Sequence, residues 1–192
     1  MITIESSNAI GNGIPKEYIC KYRKQCGGRS TCPHCKGYEL DDVFLLESKQ
    51  VYLGGTCGES TWREKAIADL QGITYFNPQL PVGAWNDDAY GNECVHMNID
   101  DILLYVMTPE MVNYFSYAEV VDMAHRRRGD VYFTFLAEEH GKRFTDSQLD
   151  ILDKIGYLVE NAGGLYFDNF YDAIDAIRKH FGQTGLDEEY EY

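Results

Sequence analysis

Two patterns of apolar residues alternate along most of this 192-residue chain. Short continuous apolar runs are typical of strands buried on both faces, and segments with apolar residues three or four positions apart are typical of helices. From residue 50 onward the two patterns follow each other in turn. The predicted strands cover residues 51–54, 73–76, 101–107, 131–136 and 165–167, and the predicted helices cover 62–70, 115–128, 146–161 and 170–181.

This alternation of strands and helices favours parallel pairing of the strands. The expected fold class is therefore α/β, with a doubly wound, mainly parallel five-stranded sheet of the flavodoxin-like type. Ligands of such sheets bind just beyond the carboxyl ends of the strands. Residues 50–65 and 100–126 each begin as a buried strand and open into a polar turn, so both segments are expected to meet at one crevice. That arrangement makes an enzyme the first hypothesis.

Composition and charge narrow the class of protein. A content of 44% hydrophobic and 14% aromatic residues excludes a disordered or fibrous chain, and the length suits one domain with appendages. Because no apolar run reaches the roughly 18 residues of a membrane span and no secretory signal is recognised, a cytoplasmic protein is expected. The net charge of −14 disfavours duplex nucleic acid as a partner. A small anionic nucleotide remains compatible, since a local site can override the mean field.

Three regions are predicted from these patterns. Residues 1–48 carry four of the six cysteines and little apolar periodicity, so they are expected to form a separate cysteine-rich extension. Residues 49–183 are expected to form the α/β domain, and residues 184–192 an acidic, solvated tail.

The cysteines of the extension suggest a metal site. Cys20, Cys26, Cys32 and Cys35 are spaced C-x5-C-x5-C-x2-C. Two thiolates in a C-x2-C pair can bind one zinc ion with tetrahedral geometry, whereas a C-x5-C pair departs from the usual spacing. A structural zinc site and reduced, unliganded thiols therefore both stay open.

Glu119 is the carboxylate most suited to chemistry. It follows the predicted third strand and falls near the start of a helix whose next residues, Val120 and Val121, are apolar. A partly desolvated carboxylate at the crevice wall could serve as a nucleophile. The alternative is an ordinary glutamate favoured by the helix dipole. Asp100 and Asp101 precede the apolar run ILLYVM; Asp100 is expected to mark a turn, and the role of Asp101 stays open.

Several neighbouring residues also have two readings. Trp62 suits either the core or a ligand, and Arg63 suits either a bound phosphate or carboxylate or a surface salt bridge. Asn77 could contact substrate or cap a turn, and Ser116 could bind a sugar or 5′-phosphate or serve as an N-cap. Residues 79–97 form a connection longer than the fold needs, which is typical of a functional lid or a disordered loop.

Five short motifs follow one another along the chain: YLGG, WRE, YFNP, DDILLYV and S-x-x-E. In this order they resemble the nucleoside 2-deoxyribosyltransferase-like superfamily, over residues 50–181. The resemblance implies that Glu119 attacks C1′ of the sugar, that Asp101 handles the proton of the nucleobase, and that Tyr52 orients the nucleophile.

The same resemblance extends to the substrate, the cofactors and the partners. It implies that Gly54 and Gly55 let the substrate approach the backbone. The expected activity is cleavage or transfer at the N-glycosidic bond of a (deoxy)nucleoside, which passes through an oxocarbenium-like state and needs no cofactor for catalysis. A homo-oligomer is also implied. The alternatives are a hydrolase of the same fold that acts on a nucleoside 5′-monophosphate, and a non-catalytic nucleotide-binding or sensing module.

Overall fold

The computed structural model describes residues 50–81, 84–112 and 114–183. The predicted cysteine-rich extension with its four cysteines and the predicted acidic tail lie outside these residues. The described chain divides into two compact units: residues 76–99 form one, and the described residues before and after that segment form the other.

A parallel sheet is the centre of the larger unit. The strand order is β2-β1-β3-β4-β7, and β1, β3, β4 and β7 pair in parallel. The strands are β1 (Gln50–Gly55), β2 (Thr74–Phe76), β3 (Ile102–Met107), β4 (Val131–Phe135), β5 (Glu138–Glu139), β6 (Lys142–Arg143) and β7 (Leu165–Tyr166). The helices of the described chain are α1 (Trp62–Asp69), α2 (Asp87–Ile99), α3 (Phe115–Arg126), α4 (Asp146–Ala162) and α5 (Phe170–His180). The predicted five-stranded α/β sheet is confirmed.

Helices cover both faces of the sheet, and for that reason every residue of β3 is buried. The first face carries Val51, Leu53, Ile102 and Leu104, which pack with residues of α1 and α5 in one core cluster. The opposite face carries Tyr52, Tyr105 and Phe133. The ring of Phe133 contacts the ring of Tyr166, and the hydroxyl group of Tyr166 donates a hydrogen bond to Asp153 of α4. Because α3 packs against α4, α3 lies on this second face. Within the described chain, no helix is long and apolar enough to cross a bilayer.

The smaller unit corrects one prediction, because the segment expected to be a long loop contains helix α2. Asn86 caps this helix, accepting a hydrogen bond from the backbone N–H of Ala89 at 2.9 Å. The ring of Phe76 stacks on His96 with 3.6 Å between ring centroids. The apolar residues of α2 do not recur on one face, so the sequence pattern did not reveal the helix.

A small hairpin after β4 was also not predicted. Strands β5 and β6 pair in antiparallel fashion through Glu138–Arg143 and Glu139–Lys142. The turn between them uses positive φ angles at His140 (50°) and Gly141 (75°). Each strand has only two residues, and both are charged, so no alternation of apolar and polar positions signals the hairpin.

Candidate functional site

The strand order places a crevice at one end of the sheet. From β1 the chain moves outward to β2, and it then returns to the other side of β1 to form β3. Ligands of open α/β sheets bind at such a switch point, outside the carboxyl ends of the two strands. Here the crevice is bordered by the β1–α1 loop (residues 56–61), the described part of the β3–α3 loop (residues 108–112 and 114) and the β5–β6 hairpin (residues 138–143). These three segments are called the crevice loops below.

Gly54 and Gly55 end β1 at this edge. A Cβ on Gly55 would lie 2.1 Å from the carbonyl oxygen of Val106, and the backbone φ is +113°. A Cβ on Gly54 would lie 2.6 Å from the rings of Tyr52 and Tyr105. Packing within the chain therefore already requires glycine at both positions, independently of the substrate approach that the resemblance implies.

Trp62 and Arg63 open α1, but neither side chain reaches solvent. Trp62 is 0% exposed and donates from Nε1 to the carbonyl oxygen of Thr56 at 2.8 Å. Arg63 is 1% exposed; its guanidinium donates to the carbonyl oxygens of Leu53 (3.0 Å), Thr56 and Gly55 (3.5 Å). The phosphate-binding or substrate-binding roles expected of these two residues are not supported, since both side chains hold the end of β1 from inside.

Asp101 lies at the opposite end of the sheet, where the parallel strands begin. It directly precedes β3, and its carboxylate accepts a hydrogen bond from the backbone N–H of Gln50, where β1 begins, at 3.1 Å. The six residues of β3 separate Asp101 from the β3–α3 loop, a distance of about 20 Å at about 3.3 Å per residue. Asp101 therefore lies at the opposite end of β3 from the β3–α3 loop, and the division of acid chemistry between Asp101 and Glu119 stays a prediction.

Ser116, Glu119 and Tyr52 do lie on one side of the sheet. Ser116 Oγ donates to the carbonyl oxygen of Gly55 at 3.5 Å, which ties the start of α3 to the end of β1. Ser116 is not the predicted N-cap, because Tyr114 occupies that position without a side-chain bond. Glu119 comes three residues later, about 4.5 Å along the helix axis, and is half-buried beside the buried Val120.

Tyr52 is expected below this part of α3. It is fully buried on the sheet face that α3 and α4 cover, and its ring packs on that of Tyr105 with 5.7 Å between centroids. The bond from Ser116 fixes the start of α3 at the level of Gly55, and the helix that carries Glu119 packs against β1 as well as β4. This arrangement agrees with an orienting role of Tyr52 toward Glu119.

Asn77 is the remaining predicted substrate-binding residue. Asn77 belongs to the smaller unit, where its side-chain oxygen accepts from the backbone N–H of Gln79 at 3.0 Å and so closes a turn. Among the residues that the structure describes, no group of three or more histidine, cysteine or acidic side chains is placed to hold a metal ion.

A buried carboxylate that the sequence analysis missed joins the crevice loops. Glu139 of the hairpin is 4% exposed and accepts hydrogen bonds from Ser60 Oγ at 2.6 Å and from the backbone N–H of Thr61 at 2.9 Å. Ser60 Oγ also accepts from Thr108 Oγ1 at 3.2 Å, and the backbone N–H of Thr108 donates to Thr56 Oγ1 at 2.8 Å. One chain of hydrogen bonds thus connects the hairpin with the ends of β1 and β3.

These contacts also set the charge of Glu139. Burial alone would raise the pKa of this carboxyl, but the hydroxyl groups of Ser60 and Thr108, the backbone N–H of Thr61 and the nearby His140 outweigh burial and lower the pKa. Glu139 is therefore ionised at neutral pH.

A second buried carboxylate is held by the same hairpin. Glu110 of the β3–α3 loop is 5% exposed and is paired with the ammonium group of Lys142. The ring of His140 lies between two crevice loops, with Nδ1 3.5 Å from Glu110 Oε1 and Nε2 3.1 Å from Thr61 Oγ1. The hairpin therefore contacts both neighbouring loops through its charged side chains.

Comparison with known proteins adds one match. Residues 48–133 match the family model described as nucleoside 2-deoxyribosyltransferase like. No curated protein and no solved structure matches the chain. The matched range contains β1, β3 and α3, and with them Glu119, but it ends before the hairpin that carries Glu139. The match confirms the resemblance over residues 50–133 of the predicted range 50–181, and it supports a function related to nucleosides.

Proposed function

We propose that this nucleoside 2-deoxyribosyltransferase-like chain cleaves or transfers the N-glycosidic bond of a (deoxy)nucleoside, with Glu119 as nucleophile. One observation carries the proposal: Glu119 is half-buried on α3 beside the β1–β3 switch point, inside the range that matches the family. A carboxylate at that position lies where the fold accepts ligands. Partial burial limits its hydration without removing it from the crevice.

The chemistry requires a carboxylate that reaches the sugar. Glu119 attacks C1′, the bond between C1′ and the base nitrogen breaks, and the base leaves with the bonding electrons and takes up a proton from solvent water. The product is a glycosyl ester of Glu119. A nitrogen of a second base then attacks C1′ and regenerates the carboxylate, which is transfer, or water attacks and the outcome is hydrolysis.

Tyr52 and Ser116 have supporting roles in this proposal. Tyr52 lies under α3 and orients the Glu119 carboxylate from the sheet face. Ser116, one turn before Glu119, fixes the start of α3 against the Gly55 carbonyl oxygen and offers a hydroxyl group at the crevice. Asp101 has no role here, because it lies at the far edge of the sheet.

The test compares the wild type with Glu119→Gln by chromatography of a panel of nucleosides, each with and without a second free base. Loss of the carboxylate nucleophile should lower the rate by at least about 10³-fold. Asp122→Asn is the matched control: it makes the same change of carboxylate to amide on α3, at an exposed residue paired with Arg126 at 2.8 Å. Its rate should stay within about twofold of the wild type, and circular dichroism should show that both variants fold.

The outcomes separate the alternatives. A new nucleoside indicates a transferase, and free base alone indicates a hydrolase. Wild-type turnover by Glu119→Gln would refute the assignment of the nucleophile. Binding of a nucleoside without turnover, in the wild type and in Glu119→Gln alike, would favour the non-catalytic binding module.

A further inference from the structure

The N-terminus of α1 already holds an anion of the chain itself. Thr61 is the N-cap of this helix, but its side chain makes no capping bond. The Glu139 carboxylate binds at the N-cap residue instead: Oε1 accepts from the backbone N–H of Thr61 at 2.9 Å and from Thr61 Oγ1 at 3.3 Å, while Oε2 accepts from Ser60 Oγ at 2.6 Å. Three donors of the β1–α1 loop are thereby directed at a carboxylate from a residue 78 positions away.

A helix N-terminus that follows the first strand is the usual place for a phosphate group in folds of this class, because its backbone N–H groups and its dipole favour negative charge. In this chain a substrate phosphate at that place would meet the backbone N–H of Thr61 and the hydroxyl groups of Ser60 and Thr61 already bonded to Glu139. It would also meet the negative charge of Glu139, which the same bonds keep ionised by lowering its pKa. Both effects oppose the binding of a second anion.

Two cations near the crevice, Arg63 and Lys142, are engaged as well. The guanidinium of Arg63 is buried and donates to three backbone carbonyl oxygens. The ammonium group of Lys142 is paired with Glu110. The segments that follow β1, β3 and β4, residues 56–61, 108–114 and 136–145, carry four carboxylates against the two cations Lys142 and Arg143. Local charge therefore adds to the repulsion of a phosphate group.

From these contacts we infer that Glu139 determines specificity, by excluding a 5′-phosphate and selecting a substrate whose 5′ group is uncharged. Given the proposed function, on which this inference rests, the substrate is a nucleoside and not a nucleoside 5′-monophosphate. The 5′-hydroxyl of a nucleoside can donate to a carboxylate, whereas a phosphate offers only charged oxygens at neutral pH. Glu139 thus favours the binding of a nucleoside and opposes the binding of its 5′-monophosphate.

The experiment uses the full chain as wild type, Glu139→Gln and Glu138→Gln. The glutamine at position 139 keeps the shape and removes the charge, and Glu138→Gln is the matched control, because it removes the same charge from the neighbouring, exposed residue of the hairpin. For each protein, kcat/KM is measured for a set of 2′-deoxynucleosides and their 5′-monophosphates. Calorimetry gives the dissociation constants of the same ligands and of inorganic phosphate.

The wild type should prefer the nucleoside by at least about 100-fold. Glu139→Gln should narrow this preference at least about tenfold and should tighten the binding of inorganic phosphate, while Glu138→Gln changes both within about twofold. A wild type that prefers the monophosphate would overturn the inference, and so would an equal narrowing by both variants, since that indicates a general effect of charge.

Failure of the proposed function is distinguishable from failure of this inference. If no protein of the set turns over any substrate, the proposed chemistry falls, but the dissociation constants for nucleoside, monophosphate and phosphate still decide the role of Glu139. If Glu139→Gln does not fold by circular dichroism, the preference of the wild type decides: a preference for the nucleoside supports the inference and a preference for the monophosphate overturns it.

Discussion

Replacing Arg63 by methionine should destabilise the fold and should not act chiefly on ligand binding. Methionine retains much of the apolar volume of the side chain but removes the guanidinium, which donates to the carbonyl oxygens of Leu53 at 3.0 Å, Thr56 and Gly55. The carbonyl oxygen of Thr56 still accepts from Trp62 Nε1 at 2.8 Å in the variant, so losing the bond from Arg63 costs less there than at an oxygen left without a donor.

The expected size follows from these bonds. A hydrogen bond from a charged donor contributes about 1.5–3 kcal/mol, so the two better bonds together contribute roughly 3–6 kcal/mol. Removing the cation also removes the cost of burying its charge, which offsets part of that sum. The free energy of unfolding should therefore fall by about 3 kcal/mol.

Urea unfolding followed by circular dichroism measures this change as a lower midpoint at an unchanged slope. Arg126→Met is the control, because this exposed arginine pairs with Asp122 on the same helix and with no other described residue, so its loss should change the free energy of unfolding by less than about 0.5 kcal/mol. Equal stability of the two variants would refute the buried position of Arg63. Unchanged stability with weakened phosphate binding would restore the ligand-binding role expected from sequence.

Two further predictions concern the crevice loops. Gly55→Ala should cost about 4 kcal/mol or prevent folding, because its Cβ would lie 2.1 Å from a backbone oxygen at a φ of +113°. Gly58→Ala, at a φ of +80°, should cost only about 1 kcal/mol, because its Cβ would have no described atom within 4 Å apart from its neighbours in the chain. Thermal melting compares the two, and equal melting temperatures would contradict the prediction. Glu139→Gln should lower the free energy of unfolding by about 2 kcal/mol at neutral pH, since the bonded carboxylate is charged and 4% exposed. Because the folded-state pKa of Glu139 lies below its ordinary value of 4.5, its stabilisation is complete above that value and is lost as the pH falls through the folded-state pKa. Unfolding by urea at neutral pH and near pH 3 tests this, and a gap between wild type and variant that does not shrink in acid would count against the ionised carboxylate.

Much of the sheet and its covering helices could be predicted, because their buried positions give apolar runs or helically spaced apolar residues in the sequence. The run ILLYVM is buried at every position as β3, and the helical spacing of residues 170–181 corresponds to α5, which ends one residue earlier. Helix α2 and the β5–β6 hairpin show no such pattern. Helix α2 lacks an apolar face, and each strand of the hairpin consists of two charged residues. Their structure depends on contacts distant in sequence and on local turns.

Less of the site could be predicted from the sequence, because its contacts join residues that are distant in the chain. Whether Arg63 points outward or binds backbone carbonyl oxygens depends on the path of β1, which its neighbours in sequence do not reveal. Glu139 looks like an ordinary surface glutamate until the fold brings it to Ser60. The position of Asp101 was different: a residue that precedes a parallel strand lies at the amino edge of the sheet, so its distance from the crevice could have been predicted.

The hairpin also decides how this domain can be cut. A fragment that stopped at residue 133, where the family match ends, would break β4 and would remove α5 from one sheet face and α4 from the other. It would leave Glu110 without Lys142 and the β1–α1 loop without Glu139. The unit that can be transplanted or expressed with its crevice intact therefore extends through α5 to His180, well beyond the region that matches the family model.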